Sequence, residues 1–279
     1  MDNHSIIMKV LVVFALALAS ASAGLLPQVL PVHPRDLPAV PSIEGRITNG
    51  KDAVENQFPY QVSLNFGSNS GGWFCGGSII SPEWILTAAH CTSGASSVTI
   101  GYGATVRTSP VLSQTVTSAN FRQHESYNAI VLRNDISLIK TPAVSFTAGI
   151  NKIKLPAISS SYSTYAGQTA VASGYGKTSD ASNSVASHLQ YADLTVIPNN
   201  DCANTFGTLI VTPRVICVGT YNGVSTCNGD SGGPLALDGV QIGVVSFGSS
   251  AGCEIGSPAG FTRTTYYLDW IAEKTGISY

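Results

Sequence analysis

Charge is scarce in this sequence. Only 11% of its 279 residues are Asp, Glu, Lys or Arg, against about 25% in an average soluble domain. The formal net charge is −2, and no long run of Lys or Arg occurs. The basic footprint that nucleic acid requires is therefore missing, and so is the polybasic cluster that would hold an anionic membrane. No Cys-x-x-Cys pair occurs, which argues against a zinc knuckle. No internal repeat of the solenoid kind is visible. Past the first two dozen residues, no stretch reaches the roughly 20 apolar residues that span a bilayer. No N-x-S/T sequon follows the amino-terminal segment, so N-glycosylation is not expected. Disorder of the whole chain is excluded by an ordinary hydrophobic fraction of 44%. The length suffices for a sizeable core in one or two domains.

The amino terminus reads as a targeting signal. Lys9 precedes the apolar run Val10 to Ala19, and Ala21 and Ala23 stand as in an A-x-A cleavage site. Residues 1–23 are therefore read as a signal peptide and export as the fate of the chain. Residues 24–46 have a different composition. Pro27, Pro31, Pro34, Pro38 and Pro41 recur with little hydrophobic periodicity, which reads as an extended, accessible leader and not a packed element. The leader ends at Arg46, and Ile47-Thr48-Asn49-Gly50 opens strand-like sequence. A lone arginine at a flexible-to-folded boundary is a natural proteolytic site. Six cysteines follow: Cys75, Cys91, Cys202, Cys217, Cys227 and Cys253. An even count in an exported chain points to disulfides, but spacing leaves the pairing open.

From residue 47 short β-rich runs alternate with Gly, Ser, Asn and Pro clusters. Tyr60–Leu64, Ser97–Ile100, Thr169–Ala172 and Val240–Val245 are examples. Many short strands punctuated in this way indicate an all-β sandwich or barrel fold. Only the end looks helical, from about Thr265 to Lys274, with Leu268 and Ile271 at helical spacing and Gly276 as a stop.

Three residues carry candidate chemistry. Beyond the leader only His90, His124 and His188 offer an imidazole. His90 sits where the apolar run Trp84–Leu86 reaches a turn, and the adjacent Cys91 would pin it. A general base needs such a fixed position, although a lone histidine there also suits a structural role. Ser231 lies in Gly229-Asp230-Ser231-Gly232-Gly233-Pro234. Glycines let a tight loop aim successive N–H groups at one point, as an oxyanion hole requires; a plain turn between strands is the alternative. The spacing resembles a nucleophile elbow, but no strand-to-helix transition accompanies it. Asp135 opens the apolar run Ile136–Ile139. An acid buried there needs a partner, and an imidazole N–H would serve; a turn or cap role is the alternative.

Taken together these pieces match a family. Ile47-Thr48-Asn49-Gly50, Leu86-Thr87-Ala88-Ala89-His90-Cys91, Asn134-Asp135-Ile136, Gly229 to Pro234 and Ser246-Phe247-Gly248 occur in the order His, Asp, Ser. The chain over residues 47–279 resembles the chymotrypsin-like (S1) serine peptidases. The stretch Cys253 to Phe261 is most similar to the arthropod digestive branch, with its insect chymotrypsins and brachyurin-type enzymes. The resemblance implies two packed antiparallel six-stranded β-barrels (the trypsin-like fold) with a C-terminal α-helix, the halves meeting at about residues 155–170. It implies disulfides Cys75–Cys91, Cys202–Cys217 and Cys227–Cys253.

It also implies that Ser231 is the nucleophile, His90 the general base and Asp135 the residue that orients the histidine. Gly229 and Ser231 would supply the oxyanion hole. Residues 24–46 become an activation propeptide, cut after Arg46 by a trypsin-like protease so that the freed amine of Ile47 pairs with Asp230. Ser225, Ser246, Phe247, Gly248 and Ala259 would bind substrate, with Ser225 at the base of the primary pocket. No carboxylate stands there, so Phe, Tyr, Leu or Met is expected before the cut, and smaller, elastase-like side chains are the alternative. The acidic wall residue of some brachyurin-type enzymes is absent, so collagen cleavage is not expected. No Asp or Glu lies between Gly101 and His124, where calcium-binding relatives hold an acidic loop. No metal and no cofactor is expected. Partners implied are protein and peptide substrates, the activating protease and protein protease inhibitors. The product is expected to be a monomer, secreted, and digestive in the gut lumen. A catalytically dead homologue and a cascade protease are the rivals. The first is disfavoured by the complete set of catalytic residues, the second by a leader without cysteine.

Overall fold

A computed structural model of the chain describes residues 29–33, 36 and 47–278. The proposed signal peptide and Arg46 lie outside the described residues. Strand is the main regular structure of the described chain, in two sheets. The N-terminal sheet takes β3 (Gln61–Ser68), β4 (Gly71–Ser81), β5 (Trp84–Thr87), β6 (Ser97–Tyr102), β7 (Leu112–Thr117), β8 (Phe121–Gln123) and β9 (Ser137–Lys140). Its order is β7-β6-β3-β4-β5-β9-β8. The C-terminal sheet takes β10 (Thr169–Gly174), β11 (Gln190–Ile197), β12 (Val215–Val218), β13 (Pro234–Leu237), β14 (Val240–Ser249) and β15 (Ala259–Arg263). Pairing of β14 with both β13 and β15 closes these six strands into a barrel. Two short strands join its margin: β1 (Pro31–Val32) on β14 and β2 (Lys51–Asp52) on β11. This is the expected trypsin-like arrangement, with the C-terminal half closed and the N-terminal half a half-barrel.

The sequence explains the strands locally. Along β11 every second residue is buried, namely Gln190, Ala192, Leu194 and Val196, the period of a strand with one face on a core. The four residues of β5 are all buried, so this run is uniformly apolar apart from Thr87. The β3–β4 hairpin pairs eight residues on each strand and turns beside Gly71, whose φ of +133° a side chain would disfavour.

Each half has its own core. Val62, Leu64, Ile79, Ile85, Ile100 and Leu138 fill the first, and Ala170, Leu194, Ile216, Val245 and Phe261 the second. The last helix, α3 (Leu268–Thr275), crosses back: its Leu268 and Ile271 belong to the core of the N-terminal half. It starts three residues later than expected, because Thr264–Tyr266 form a 3-10 turn. It ends as expected at Gly276, left-handed at φ +73°, whose N–H meets Ala272 O at 2.8 Å. Two other helices, α1 (Ala89–Thr92) and α2 (Asn199–Phe206), were not foreseen. Each is held at a disulfide, at Cys91 and Cys202, and both are too short for periodicity to reveal them.

The leader departs from its expected accessibility. Pro31 and Val32 pair antiparallel with Ser249 and Gly248, and His33 is buried. A proline is tolerated there because β1 is an edge strand. Among the described residues, no helix is long and apolar enough to cross a membrane.

Candidate active site

Strand β5 ends at Thr87 and delivers the chain into α1, which carries His90. Its partner β9 pairs Thr87 with Ser137, so Asp135, two residues earlier, arrives beside the histidine. The contact is double. His90 N–H donates to Asp135 Oδ1 at 2.8 Å, and His90 Nδ1–H donates to Oδ2 at 2.8 Å. A carboxylate can only accept, so the proton sits on Nδ1 and Nε2 is the basic nitrogen. Both residues are fully buried.

Asp135 is held from further sides. Ser246 Oγ–H donates to its Oδ2 at 2.6 Å, and Thr262 Oγ1–H to its backbone carbonyl at 2.7 Å. Burial pushes the Asp135 carboxyl upward. The imidazoles of His90 and His33, with the hydrogen bonds from His90 and Ser246, outweigh that and hold it well below the usual carboxylate range. Asp135 is therefore a fixed anion beneath the His90 ring.

Ser231 comes from the opposite half, in the loop before β13. Gly76 N–H in β4 donates to Ser231 O at 2.8 Å, and Thr87 Oγ1–H donates to Gly76 O at 2.9 Å. The first sheet thus grips the loop that the second sheet presents. The Cys75–Cys91 disulfide lies at this junction, with Cys91 Sγ 3.7 Å from His90 Nε2 and 3.6 Å from Ser231 O. Ser231 Oγ itself is buried and has no hydrogen-bond partner. The structure therefore brings His90 and Asp135 into contact and sets Ser231 beside them with its hydroxyl unengaged, as catalytic hydrogen bonds often are before substrate binds.

The loop geometry follows from its glycines. Gly229 and Gly232 have φ of +97° and +78°. A Cβ on Gly232 would lie 2.1 Å from Thr87 Oγ1. Asp230, Gly232 and Gly233 N–H groups are spent on carbonyls of Cys227, Val245 and Asp230. Among the described residues, the N–H groups of Gly229 and Ser231 make no such bond. They are the two donors that the resemblance assigns to the oxyanion.

Asp230 points away from the cleft into a buried cradle. It accepts from Gly176 N–H at 2.8 Å and Cys227 N–H at 2.9 Å. A Cβ at Gly174 or Gly176 would collide with its carboxylate. Burial pushes its carboxyl up to about 7, against those two N–H bonds. Ile47 is completely buried in the core of the C-terminal half. Next to it, Thr48 Oγ1–H donates to Ser225 O at 3.2 Å and Ser225 N–H to Thr48 O at 3.3 Å. The start of the folded region thus braces Ser225, the residue expected at the base of the primary pocket.

Of the expected pocket residues, Ser225 is buried with its hydroxyl donating to Thr226 O at 3.0 Å. Ala259 is buried in β15, and a Cβ on Gly248 would meet nothing within 4 Å. Ser246 and Phe247 also make contacts within the fold. The Ser246 hydroxyl serves Asp135. Phe247 is buried edge-on to Phe206 at 5.4 Å, in an apolar cluster on which Val29 of the leader also packs. Asp180, not foreseen, clamps the Cys253–Glu254 loop by accepting from Cys253 and Glu254 N–H at 2.7 and 3.1 Å. His33 was also missed. Its ring stacks on His90 at 4.0 Å, and nothing in a proline-rich leader announces that contact. Three disulfides form, Cys75–Cys91, Cys202–Cys217 and Cys227–Cys253, the pairs that the resemblance implies.

Comparison with known proteins agrees with this geometry. The family model described as Trypsin matches residues 47–271. Serine protease 1 of Drosophila melanogaster is 52% identical over 242 residues, covering 86% of this chain and 89% of that protein. Brachyurin of Leptuca pugilator is 43% identical over 83% of this chain and all of that protein. A solved HL collagenase structure is similar with a TM-score of 0.77 and 39% identity, covering 83% of this chain and 100% of that one.

Proposed function

The chain belongs to the trypsin family of serine proteases, and from that premise we propose that it is a secreted endopeptidase made as a precursor, with Ser231, His90 and Asp135 as its catalytic residues. Ser231 Oγ attacks the scissile carbonyl while His90 Nε2 accepts its proton. The imidazolium is stabilised by the Asp135 carboxylate and then protonates the leaving amine. Gly229 and Ser231 N–H groups hold the oxyanion. Water repeats the sequence on the acyl-enzyme. This scheme is the general one for such a triad. The observation that carries it here is the double contact of Asp135 with His90, 45 residues earlier in the chain, which leaves the basic nitrogen unprotonated.

Activation is by cleavage after Arg46. The new amine of Ile47 takes the place of a missing cation beside Asp230, whose raised proton affinity reports the cost of burying it alone. Side-chain preference is chymotrypsin-like, for Phe, Tyr, Leu or Met. Ser225 offers a neutral base, Gly248 leaves the mouth open, and the nearby acids Asp180 and Glu254 are spent on backbone N–H groups. Ala259 makes the slot shallower than glycine would. An extended substrate adds as a strand along the Gly248 edge of β14. A monomeric digestive role in the gut lumen, open to protein inhibitors, fits a leader without cysteine.

A panel of peptide anilides differing only in the residue before the cut tests this reading. The trypsin-processed protein is expected to cleave after Phe, Tyr, Leu or Met at least tenfold faster in kcat/KM than after Ala or Arg. A preference for Ala would move the assignment to the elastase-like class, and a preference for Arg would refute it.

A further inference from the structure

The leader touches the catalytic pair. Leu30 O accepts from Ser250 N–H at 2.9 Å, and Leu30 N–H donates to Ser250 Oγ at 3.3 Å. Pro31 and Val32 continue antiparallel opposite Ser249 and Gly248. Val29 packs against the cluster that holds Phe206 and Phe247. The next residue, His33, turns its ring flat onto His90, with centroids 4.0 Å apart and planes inclined by 19°. His33 Nδ1–H donates to Ser246 O at 2.7 Å, so its Nε2 accepts from Tyr127 O–H at 3.1 Å. Its Nδ1 also lies 3.5 Å from Asp135 Oδ2. Only 3% of His33 is exposed, in a segment whose neighbour Leu30 is 58% exposed.

The strand edge, the catalytic ring and the carbonyl of Ser246 are all claimed by one segment of the same chain. An extended peptide substrate needs the same edge and the same ring face. Two backbones cannot pair with Gly248–Ser250 from the same side, because each N–H and C=O of an edge is satisfied once. The sequence continues with Pro34, which has no N–H to donate. The imidazole of His33 supplies the donor to Ser246 O that the following backbone cannot.

We propose that the leader is a built-in competitive inhibitor, with Leu30–His33 seated in the substrate strand position and His33 capping the His90 ring. The idea rests on the reading that the chain is processed after Arg46, and it adds a second step to that activation. All six cysteines are paired within residues 75–253, so no disulfide retains the leader once it is cut. Cleavage frees the new amine; dissociation of the leader frees the cleft.

The experiment has two arms. In the first, the precursor carrying Arg46→Gln is compared by hydrogen exchange with the same protein carrying also His33→Ala, and with the processed chain. The Ser250 amide is expected to be protected in the first and to exchange at least tenfold faster in the other two. Equal exchange in all three overturns the proposal. In the second, a synthetic peptide of residues 24–36 is added to the processed enzyme acting on a small anilide. It is expected to raise KM and leave kcat unchanged, with the His33→Ala peptide weaker by about tenfold or more, the loss of two hydrogen bonds and a ring stack. Rates unchanged up to millimolar peptide, or a fall in kcat at constant KM, overturn it. Amino-terminal sequencing of the active product separates this proposal from the processing it rests on. A first residue other than Ile47 refutes cleavage after Arg46, whereas the exchange arm reads leader occupancy in the uncut chain regardless.

Discussion

Asp230 gives the sharpest quantitative expectation. In the precursor Ile47 is still joined to Arg46, so its nitrogen is a neutral amide and cannot balance the buried carboxylate. Burial moves that carboxyl from its ordinary 3.8 to about 7. Each tenfold change in proton affinity corresponds to about 1.4 kcal/mol, so the ionised form is disfavoured by on the order of 4 kcal/mol. The sign is fixed by linkage. Between pH 4 and 7 the folded chain keeps a proton that the unfolded chain has lost, so stability falls as pH rises through that window and is level above it. Asp230→Asn removes the titration. Urea unfolding of the Arg46→Gln precursor, with and without Asp230→Asn, should therefore give curves whose difference grows by about 4 kcal/mol from pH 4 to pH 8. The slope is the test and not the level, because Asn replaces only one of the two acceptors that serve Gly176 and Cys227. Parallel curves would mean that the Asp230 carboxyl does not titrate in that window. In the processed enzyme the same substitution should abolish activity, since the amine of Ile47 then has no anion to meet.

Other expectations follow from single contacts. Gly232→Ala would force a Cβ to 2.1 Å from Thr87 Oγ1 at a left-handed φ of +78°; kcat should fall by roughly a hundredfold or more through displacement of Ser231, measured on a small anilide. Gly248→Val has open space at its Cβ, so melting should be unchanged while the Phe-over-Ala preference in kcat/KM falls by about ten- to a hundredfold. Removing Cys202–Cys217 by paired Ala substitutions opens a cross-link spanning 15 residues. It should lower unfolding free energy by about 3 kcal/mol with little change in kcat, because that bridge ties α2 to β12 and not the segments that carry His90 and Ser231.

The two halves of the fold were legible because short strands with buried alternation, such as Gln190–Ile197, write their period into the sequence. The eight residues of α2 span too few turns to do the same, and Cys202 and Phe206 are the only two it buries. The site was legible as far as chain-local motifs reach. His90 beside Cys91 and Ser231 between glycines stand out in one dimension. What supports them does not. Ser246 reaches Asp135 across 111 residues, Thr262 across 127, and His33 reaches Ser246 across 213. No local pattern encodes a contact that exists only after both sheets have closed. The leader illustrates the same limit: its prolines argue for extended chain, which is correct for β1, but extension suits an edge strand as well as a free tail.

Catalysis turns on Ser231 becoming a nucleophile through His90. The direct measurement is labelling of the trypsin-processed chain with a serine-directed fluorophosphonate, followed by mass mapping of the modified peptide. One label is expected, on Ser231, lost together with peptidase activity in Ser231→Ala and in His90→Ala. Peptide hydrolysis that persists in Ser231→Ala, or a label carried by another residue of the active protein, would contradict it.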